Sequence, residues 1–359
     1  FRKNRLALVG LAVFLLFFAT AVAGVFLTAG HRPVFDPALV RLQEKLRPPL
    51  SRPLMEAPAP GEAPPFGVYL FGTDDLGRDI FARMLQGAWV SLTVGFVAVG
   101  ISVLVGVFLG AMAGYYGQRA IRLEQVLIAL LLLAGGALLA GGRSGSGAAL
   151  LALGHAWLFL SLSPWGLKRW NPPPAWARPL LARVMQVDTL IMRFVDIMLC
   201  FPSFFLILTV VALLPASIYT IMIVIGLTSW EGTTRFVRAE FLSLRELDFV
   251  AAARALGLSD LRIIFRHITP NAIAPVLVSA TIGIASAILT EAGLSFLGFG
   301  VPPPHATWGN ILSDGKRFIF DAPWLTFIPG VAILLVVLAF NLFGEGLRDI
   351  LHPRLRERR

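Results

Sequence analysis

The sequence predicts an all-α membrane protein, and three observations carry that prediction. Apolar residues make up 57% of the 359 positions and charged ones only 14%, against about 45–50% and about 25% in soluble domains. The apolar residues gather in runs long enough to cross a hydrocarbon core of about 30 Å, which takes roughly 20 helical residues. The net charge of +10 sits at the ends of those runs, so it reads as a topology signal and a nucleic-acid surface is not needed to explain it. With Cys200 as the single cysteine, an internal disulfide, a cysteine zinc site and an iron–sulfur cluster are all excluded.

Leu6 to Leu27 is the first run, uncharged and preceded by Arg2, Lys3 and Arg5. A basic start and Ala21-Val22-Ala23 also fit a cleavable signal. The run continues past that site and exceeds the apolar region of a signal, which favours a retained transmembrane anchor over 1–30. Residues 31–86 form a Pro-rich extracytoplasmic loop, whose nine prolines from Pro33 to Pro65 cannot pack as a regular helix. A transmembrane domain over 87–345 then holds spans at Trp89–Tyr115, Ile197–Leu214, Ser217–Trp230, Ala272–Phe299 and Trp324–Phe343. Together with the anchor these are six core helices.

Two weaker runs, Leu123–Leu139 and Ala148–Leu162, flank a Gly/Ser loop at 141–147 inside the segment 119–186. They must cross together or not at all, because an odd crossing would put 235–267 on the wrong side. A transmembrane hairpin, giving eight helices in total, fits the basic flanks Arg119, Arg122, Lys168 and Arg169. A membrane-skimming or cytoplasmic insert fits the short second run and Arg143 in the loop. Orientation follows from basic residues. The first five residues carry three basic residues and no acid, 31–86 carries seven basic and seven acidic residues, 235–267 carries six arginines against four acids, and the tail 346–359 is basic. Both termini are therefore expected in the cytoplasm.

Chemistry-bearing motifs are scarce. Gly315-Lys316 lacks the upstream glycine of a phosphate loop. The five histidines are scattered without metal-ligand spacing, and no nucleophile elbow sits in a hydrolase context. We expect no catalytic residue and no metal. Gly106, Gly110 and Gly114 recur every four residues and permit close approach of another helix. Glu291 is the main ionisable group inside the spans, either a functional acid or an interfacial one held by Ser and Thr hydroxyls. A self-contained channel or secondary transporter is the alternative function, although the matching broken helices and buried acids expected of a secondary transporter are not evident. A membrane scaffold is a third possibility.

The most informative stretch is 235–270, expected in the cytoplasm. Asp248 to Leu256 is Ala-rich and helix-favouring. Gly257 can take the left-handed cap that ends it. Ser259 is placed to N-cap a second short helix, with Asp260 in its first turn, and Pro270 marks re-entry into the membrane. Such an exposed helix–Gly–helix reads equally as a docking surface or a solvated loop.

This stretch resembles the "EAA loop" of binding-protein-dependent ABC importer permeases. Ala252, Ala253, Gly257 and Pro270 match, and Ile268 lies close to the expected Ile, whereas Ala251 stands where the family usually has Glu. Phe71-Gly-Thr-Asp-Asp-Leu-Gly-Arg-Asp79 and Gln86-Gly-Ala-Trp-Val-Ser-Leu92 resemble the dipeptide/oligopeptide C-type permease subunit. So do Leu289 to Gly298, Trp308-Gly-Asn310, Ala322-Pro-Trp324 and Phe340 to Asp349. The likeness covers most of 1–118 and 187–359; that subfamily passes from Gly117 almost directly to Val187, which makes 119–186 an addition.

The resemblance implies a type I ABC importer transmembrane fold and a multi-pass place in the cytoplasmic (inner) membrane. This chain would be one permease subunit of a heterodimeric pore moving di- or oligopeptides. Its partners would be a second permease, one or two ATP-binding subunits that hold ATP and Mg, a peptide-binding protein outside, and membrane lipid; the chain itself would hold no cofactor. Asp248, Ala252, Ala253, Gly257, Ser259, Asp260, His267 and Pro270 would form the ATPase-coupling loop. Glu291, Ser295 and Phe296 are pore or outer-gate candidates. Gly72, Asp74, Asp75, Gly77, Arg78 and Asp79 make up the outer-segment motif. Its three carboxylates also fit a calcium reading, but Gly72, Asp74 and Gly77 are better read as turn builders.

Overall fold

The computed structural model describes residues 5–30, 33–54, 64–141, 144–162 and 183–351. The basic tail after Leu351, the basic stretch within 163–182 and Arg143 lie outside the described residues. The elements in order are α1 (Arg5–Thr28), α2 (Ile80–Tyr116), β1 (Ala120–Arg122), α3 (Leu123–Ala140), α4 (Ser144–Leu162), β2 (Arg183–Gln186), α5 (Val187–Cys200) and α6 (Ser203–Leu213). Then follow α7 (Ile218–Leu227), α8 (Glu231–Leu244), α9 (Asp248–Ala255), α10 (Asp260–Phe296), α11 (Trp308–Gly315) and α12 (Trp324–Leu351). The fold is an all-α membrane architecture, and each of the eight apolar segments carries helix. The chain divides into two compact units, one of Phe1–Ala111 with Ile197–Arg359 and one of Met112–Asp196.

In the first unit α1 and α10 both lie along α12, α11 wedges against α10 and α12, and α8 packs on α10. Lipid tails are as apolar as leucine, so close van der Waals fit holds such helices together, and small residues allow it. Gly106 and Gly110 of α2 supply one such fit. A Cβ at Gly106 would stand 2.6 Å from Cβ of Thr233, and one at Gly110 would stand 2.7 Å from the Thr234 carbonyl oxygen. Their partner is thus α8, which the glycine spacing alone could not name. At the α1–α12 contact Phe14 stacks on Phe343 at 5.6 Å and meets Phe340 edge-on at 5.2 Å. The core is centred on Ile80, Leu92, Ile225, Ile288, Leu294, Trp308 and Phe340.

Four helices are long and apolar enough to cross a membrane among the described residues: α1, α2, α10 and α12. Three expectations change. The expected span Ile197–Leu214 is broken, with α5 and α6 meeting at 81°. The cause is Pro202, which disfavours helical geometry at Phe201 and serves as the N-cap position of α6. The expected span Ser217–Trp230 is a helix of only 10 residues, α7, followed by the separate α8. Finally, α2 starts at Ile80, well before Trp89, so the Pro-rich segment ends sooner than residue 86.

The second short helix expected after Gly257 is also not separate. It runs on as α10, 37 residues in all. Pro270 lacks an N–H and its ring crowds the carbonyl four residues back. The chain absorbs this by widening into a π-helical stretch over Ile263–Ile268. There the Thr269 N–H donates to the Ile264 carbonyl, and the Thr269 hydroxyl donates to the same oxygen at 2.9 Å.

In the second unit α3 and α4 pack as an antiparallel hairpin, so closely that a Cβ at Gly154 would stand 2.8 Å from the Leu132 side chain. β1 and β2 pair antiparallel at its base, and the Val187 N–H donates to the Arg119 carbonyl at 3.1 Å. The chain therefore leaves and returns at one place.

Candidate functional site

The scattered motifs of the sequence converge at one end of the first unit. The segment 71–79 is a tight series of turns. Gly72 and Gly77 have φ of +79° and +70°, and a Cβ at Gly77 would collide with the Arg41 carbonyl, so both positions need glycine. Asp74 is fully buried. Its Oδ1 accepts the N–H groups of Leu76 and Arg78, both at 2.9 Å. Its Oδ2 accepts Nε of Arg78 at 2.6 Å and Nη1 of Arg83 at 2.7 Å.

Arg83, on the first turns of α2 and 4% exposed, then reaches Asp314 of α11 at 2.9 Å. Arg78 reaches the same carboxylate at 3.3 Å. Trp324 Nε1, at the start of α12, donates to the Thr73 carbonyl at 3.2 Å. Three stretches far apart in sequence, 71–83, α11 and the start of α12, thus fasten to one another, the first two through ion pairs centred on buried Asp74 and Arg83 and the third through a hydrogen bond. Such pairs cost desolvation but are severely missed when one partner is removed.

The three aspartates of the segment do not act together. Asp79 is buried and its Oδ1 accepts the Phe81 N–H at 2.9 Å. Burial pushes its carboxyl above the ordinary value, against the smaller pull of that N–H and of Arg41. Asp75 is half-buried and joins no ion pair among the described residues.

A second polar cluster lies beneath α11. Glu291 is 1% exposed and its Oε1 accepts the Ser295 hydroxyl at 2.7 Å. The hydroxyls of Ser91 and Thr307 stand close by. Ser91 Oγ accepts the Trp308 N–H at 3.3 Å, while Thr307 caps α11 by accepting the Asn310 N–H at 3.1 Å. Of the two sequence readings, the one in which hydroxyls hold the acid describes its surroundings, but they are buried, and among the described residues Oε2 lacks a hydrogen-bond partner. Gln86 Oε1 accepts the Ala306 N–H at 2.7 Å, and Trp308 donates its indole N–H to the Met84 carbonyl. Phe296 ends α10 half-exposed; its carbonyl accepts Lys316 Nζ at 3.2 Å.

The segment 248–270 is separate from both clusters. Gly257 has φ of +73°. The Gly257 N–H donates to the Arg254 carbonyl and the Leu258 N–H to the Ala253 carbonyl, the pair of bonds that closes a helix at a left-handed residue. Asp248 opens α9 and Ser259 occupies the N-cap position before Asp260, as expected, but the Ser259 hydroxyl makes no capping bond. Ala252 is exposed and Ala253 buried. His267 is half-buried, its carbonyl accepting Asn271 Nδ2 at 2.7 Å. Pro270 lies inside the continuous helix. Leu256, 80% exposed, and Leu261, 59% exposed, flank the glycine, so an apolar surface is presented on both sides of the turn.

Sequence reasoning missed Arg83, Asp314, Ser91 and Thr307. Arg83 did carry a signal: a charge at the foot of a long apolar run, four residues after Asp79, needs a partner.

Comparison with known proteins bears directly on these sites. Residues 177–357 match the family described as binding-protein-dependent transport system inner membrane component, and residues 1–49 match the N-terminal transmembrane domain of oligopeptide transport permease C. The chain is 36% identical over 355 residues to the dipeptide transport system permease protein DppC of Alkalihalophilus pseudofirmus, covering 99% of this chain and 88% of that protein. It is 33% identical to the DppC of Haemophilus influenzae, covering 99% and 93%. With the oligopeptide transport system permease protein OppC of Bacillus subtilis the identity is 30%, covering 99% and 88%.

Proposed function

The chain belongs to the family of binding-protein-dependent transport system inner membrane components, and from that premise we propose that it is a permease subunit of an ATP-driven importer of di- or oligopeptides. The observation that carries the substrate class is full-length similarity to relatives named for dipeptide and oligopeptide transport. In this reading the chain forms half of a heterodimeric pore in the inner membrane, with both termini in the cytoplasm. ATP and Mg are bound and ATP is hydrolysed by separate subunits. A peptide-binding protein delivers substrate to the outer face, which 71–79 and α11 help to build.

Coupling runs through α9, Gly257 and the first turns of α10. Two features support this role: the left-handed turn fixes the angle between the helices, and Leu256 and Leu261 expose apolar area at the turn. Closure of an ATPase dimer would displace these helices and, through α10, open the outer cluster around Glu291, Ser295 and Phe296.

The test is a mild-detergent purification from native membranes, with wild type and Gly257→Pro in parallel. Proline fixes φ near −65° and cannot adopt +73°. We expect a second permease and ATPase subunits to co-purify, and the variant to insert normally while ATP hydrolysis no longer drives uptake. A chain that purifies alone and still passes solute would overturn the assignment, and coupled uptake by the variant would remove the role of the turn.

A further inference from the structure

Midway along the first unit, α2, the α7–α8 junction and α10 enclose a cavity of about 250 Å³. Six hydroxyl side chains, Ser102, Ser229, Thr233, Ser279, Ser286 and Thr290, line it among alanine, valine, isoleucine and glycine, and among the described residues no charged side chain does. On α10 the positions 279, 283, 286 and 290 recur at helical spacing, so Ser279, Gly283, Ser286 and Thr290 share one face over about 16 Å. A face turned to lipid would be apolar, and a face closed by helix packing would leave no cavity. Three elements here bring hydroxyls to an open space within membrane-spanning segments.

The hydrogen bonds of these groups specify what they can offer. Ser102 donates to the Ser229 carbonyl at 2.7 Å, Ser229 to the Ile225 carbonyl at 2.7 Å and Thr290 to the Ser286 carbonyl at 2.8 Å. Each keeps oxygen lone pairs to accept with. The Ser286 and Ser279 hydroxyls donate to no group among the described residues, so they can both donate and accept. An uncharged, largely apolar wall dotted with hydroxyl donors and acceptors can meet the N–H and C=O groups that every peptide bond presents. It creates no ion-pair well to hold an acidic or basic side chain, and conduction requires binding weak enough to leave.

Building on the peptide-permease reading, we propose that this hydroxyl-lined face of α10 is this subunit's wall of the peptide path, contacting the substrate main chain and indifferent to side-chain charge. Sorting of peptides by side chain is then left to other components.

The experiment uses the intact complex reconstituted in vesicles. In a Cys200→Ser background, Ser286→Cys is probed with a membrane-impermeant, negatively charged thiosulfonate reagent, with and without saturating dipeptide. Ser286→Asp is assayed for uptake of neutral, lysine-containing and glutamate-containing dipeptides. We expect labelling during turnover, protection by dipeptide, and a shift of about fivefold in the lysine-to-glutamate uptake ratio, as a single uncompensated charge near the path would give.

Labelling by lipid-soluble reagents only, constant cross-linking to the second permease, or an unchanged ratio with normal uptake would each overturn the proposal. If Ser286→Asp does not assemble, the Ser286→Cys labelling and protection decide alone. A wild-type complex that takes up no peptide refutes the permease reading itself, a failure distinct from any in the Ser286 variants.

Discussion

Asp74→Asn isolates the buried link between the Pro-rich segment and the helices. Asparagine keeps an oxygen for the N–H groups of Leu76 and Arg78, but turns an amide NH₂ toward Nε of Arg78 and Nη1 of Arg83, now 2.6 and 2.7 Å from a carboxylate oxygen. Two charge-assisted hydrogen bonds disappear, at about 1.5–3 kcal/mol each. Arg83 retains Asp314 at 2.9 Å, so its charge is not left alone and the total should stay within the ~3–5 kcal/mol typical of a broken buried pair. The loss is local, so amide hydrogen exchange over 71–83 in the intact complex is the suitable assay. Protection there should fall by that amount while the centre of α12 is unchanged. A double-mutant cycle with Arg83→Met should return a coupling above about 1 kcal/mol. Additive effects, or a loss for Asp74→Asn below about 1 kcal/mol, would refute the claim that this pair holds the segment.

Further expectations follow from neighbouring residues. Asp79→Asn should do the reverse of Asp74→Asn. Burial raises the Asp79 carboxyl above 3.8, so its contribution to stability is full below that value and is lost as pH rises through the raised one; the variant should match or exceed wild-type exchange protection at pH 7 and lose that pH dependence. Deleting 120–186 to join Arg119 to Val187, already hydrogen-bonded at 3.1 Å, should preserve assembly and uptake, as measured in reconstituted vesicles. Gly110→Leu should lower the thermal stability of the complex by about 1–3 kcal/mol, since a new side chain meets Thr234 and Val237 at 2.7 Å; Gly100→Leu on the same helix, with nothing within 4 Å, should be near neutral in the same melt.

The spans were legible because lipid demands apolar runs of fixed length, and α1, α2, α10 and α12 cover the runs that hydropathy picked out, although α2 and α10 begin earlier than those runs. Gly257 was legible for a different reason: a helix that must end at a left-handed residue selects glycine. Other features depend on context that a residue string does not display. Pro202 breaks a run that reads as continuous, whereas Pro270 fails to break one, and the difference lies in whether the neighbouring backbone can widen and rebond, as it does through Thr269. The aspartates of the outer motif look alike in sequence, yet Asp74 meets two guanidinium groups and Asp79 a backbone N–H. Only folding brings Asp314, 231 positions from Arg83, to the same guanidinium that Asp74 meets.

At 37 residues, α10 is about 55 Å long, which exceeds the roughly 40–45 Å of a bilayer with its headgroups. Standing upright in a bilayer, such a single strut would reach beyond the headgroups. Because no loop interrupts it between Asp260 and Phe296, a displacement at one end arrives at the other as travel along a common axis. The π-helical stretch builds a change of pitch into that strut. It lies a single turn from the end that would be pushed, where a small twist swings the least length of rod behind it and the greatest ahead.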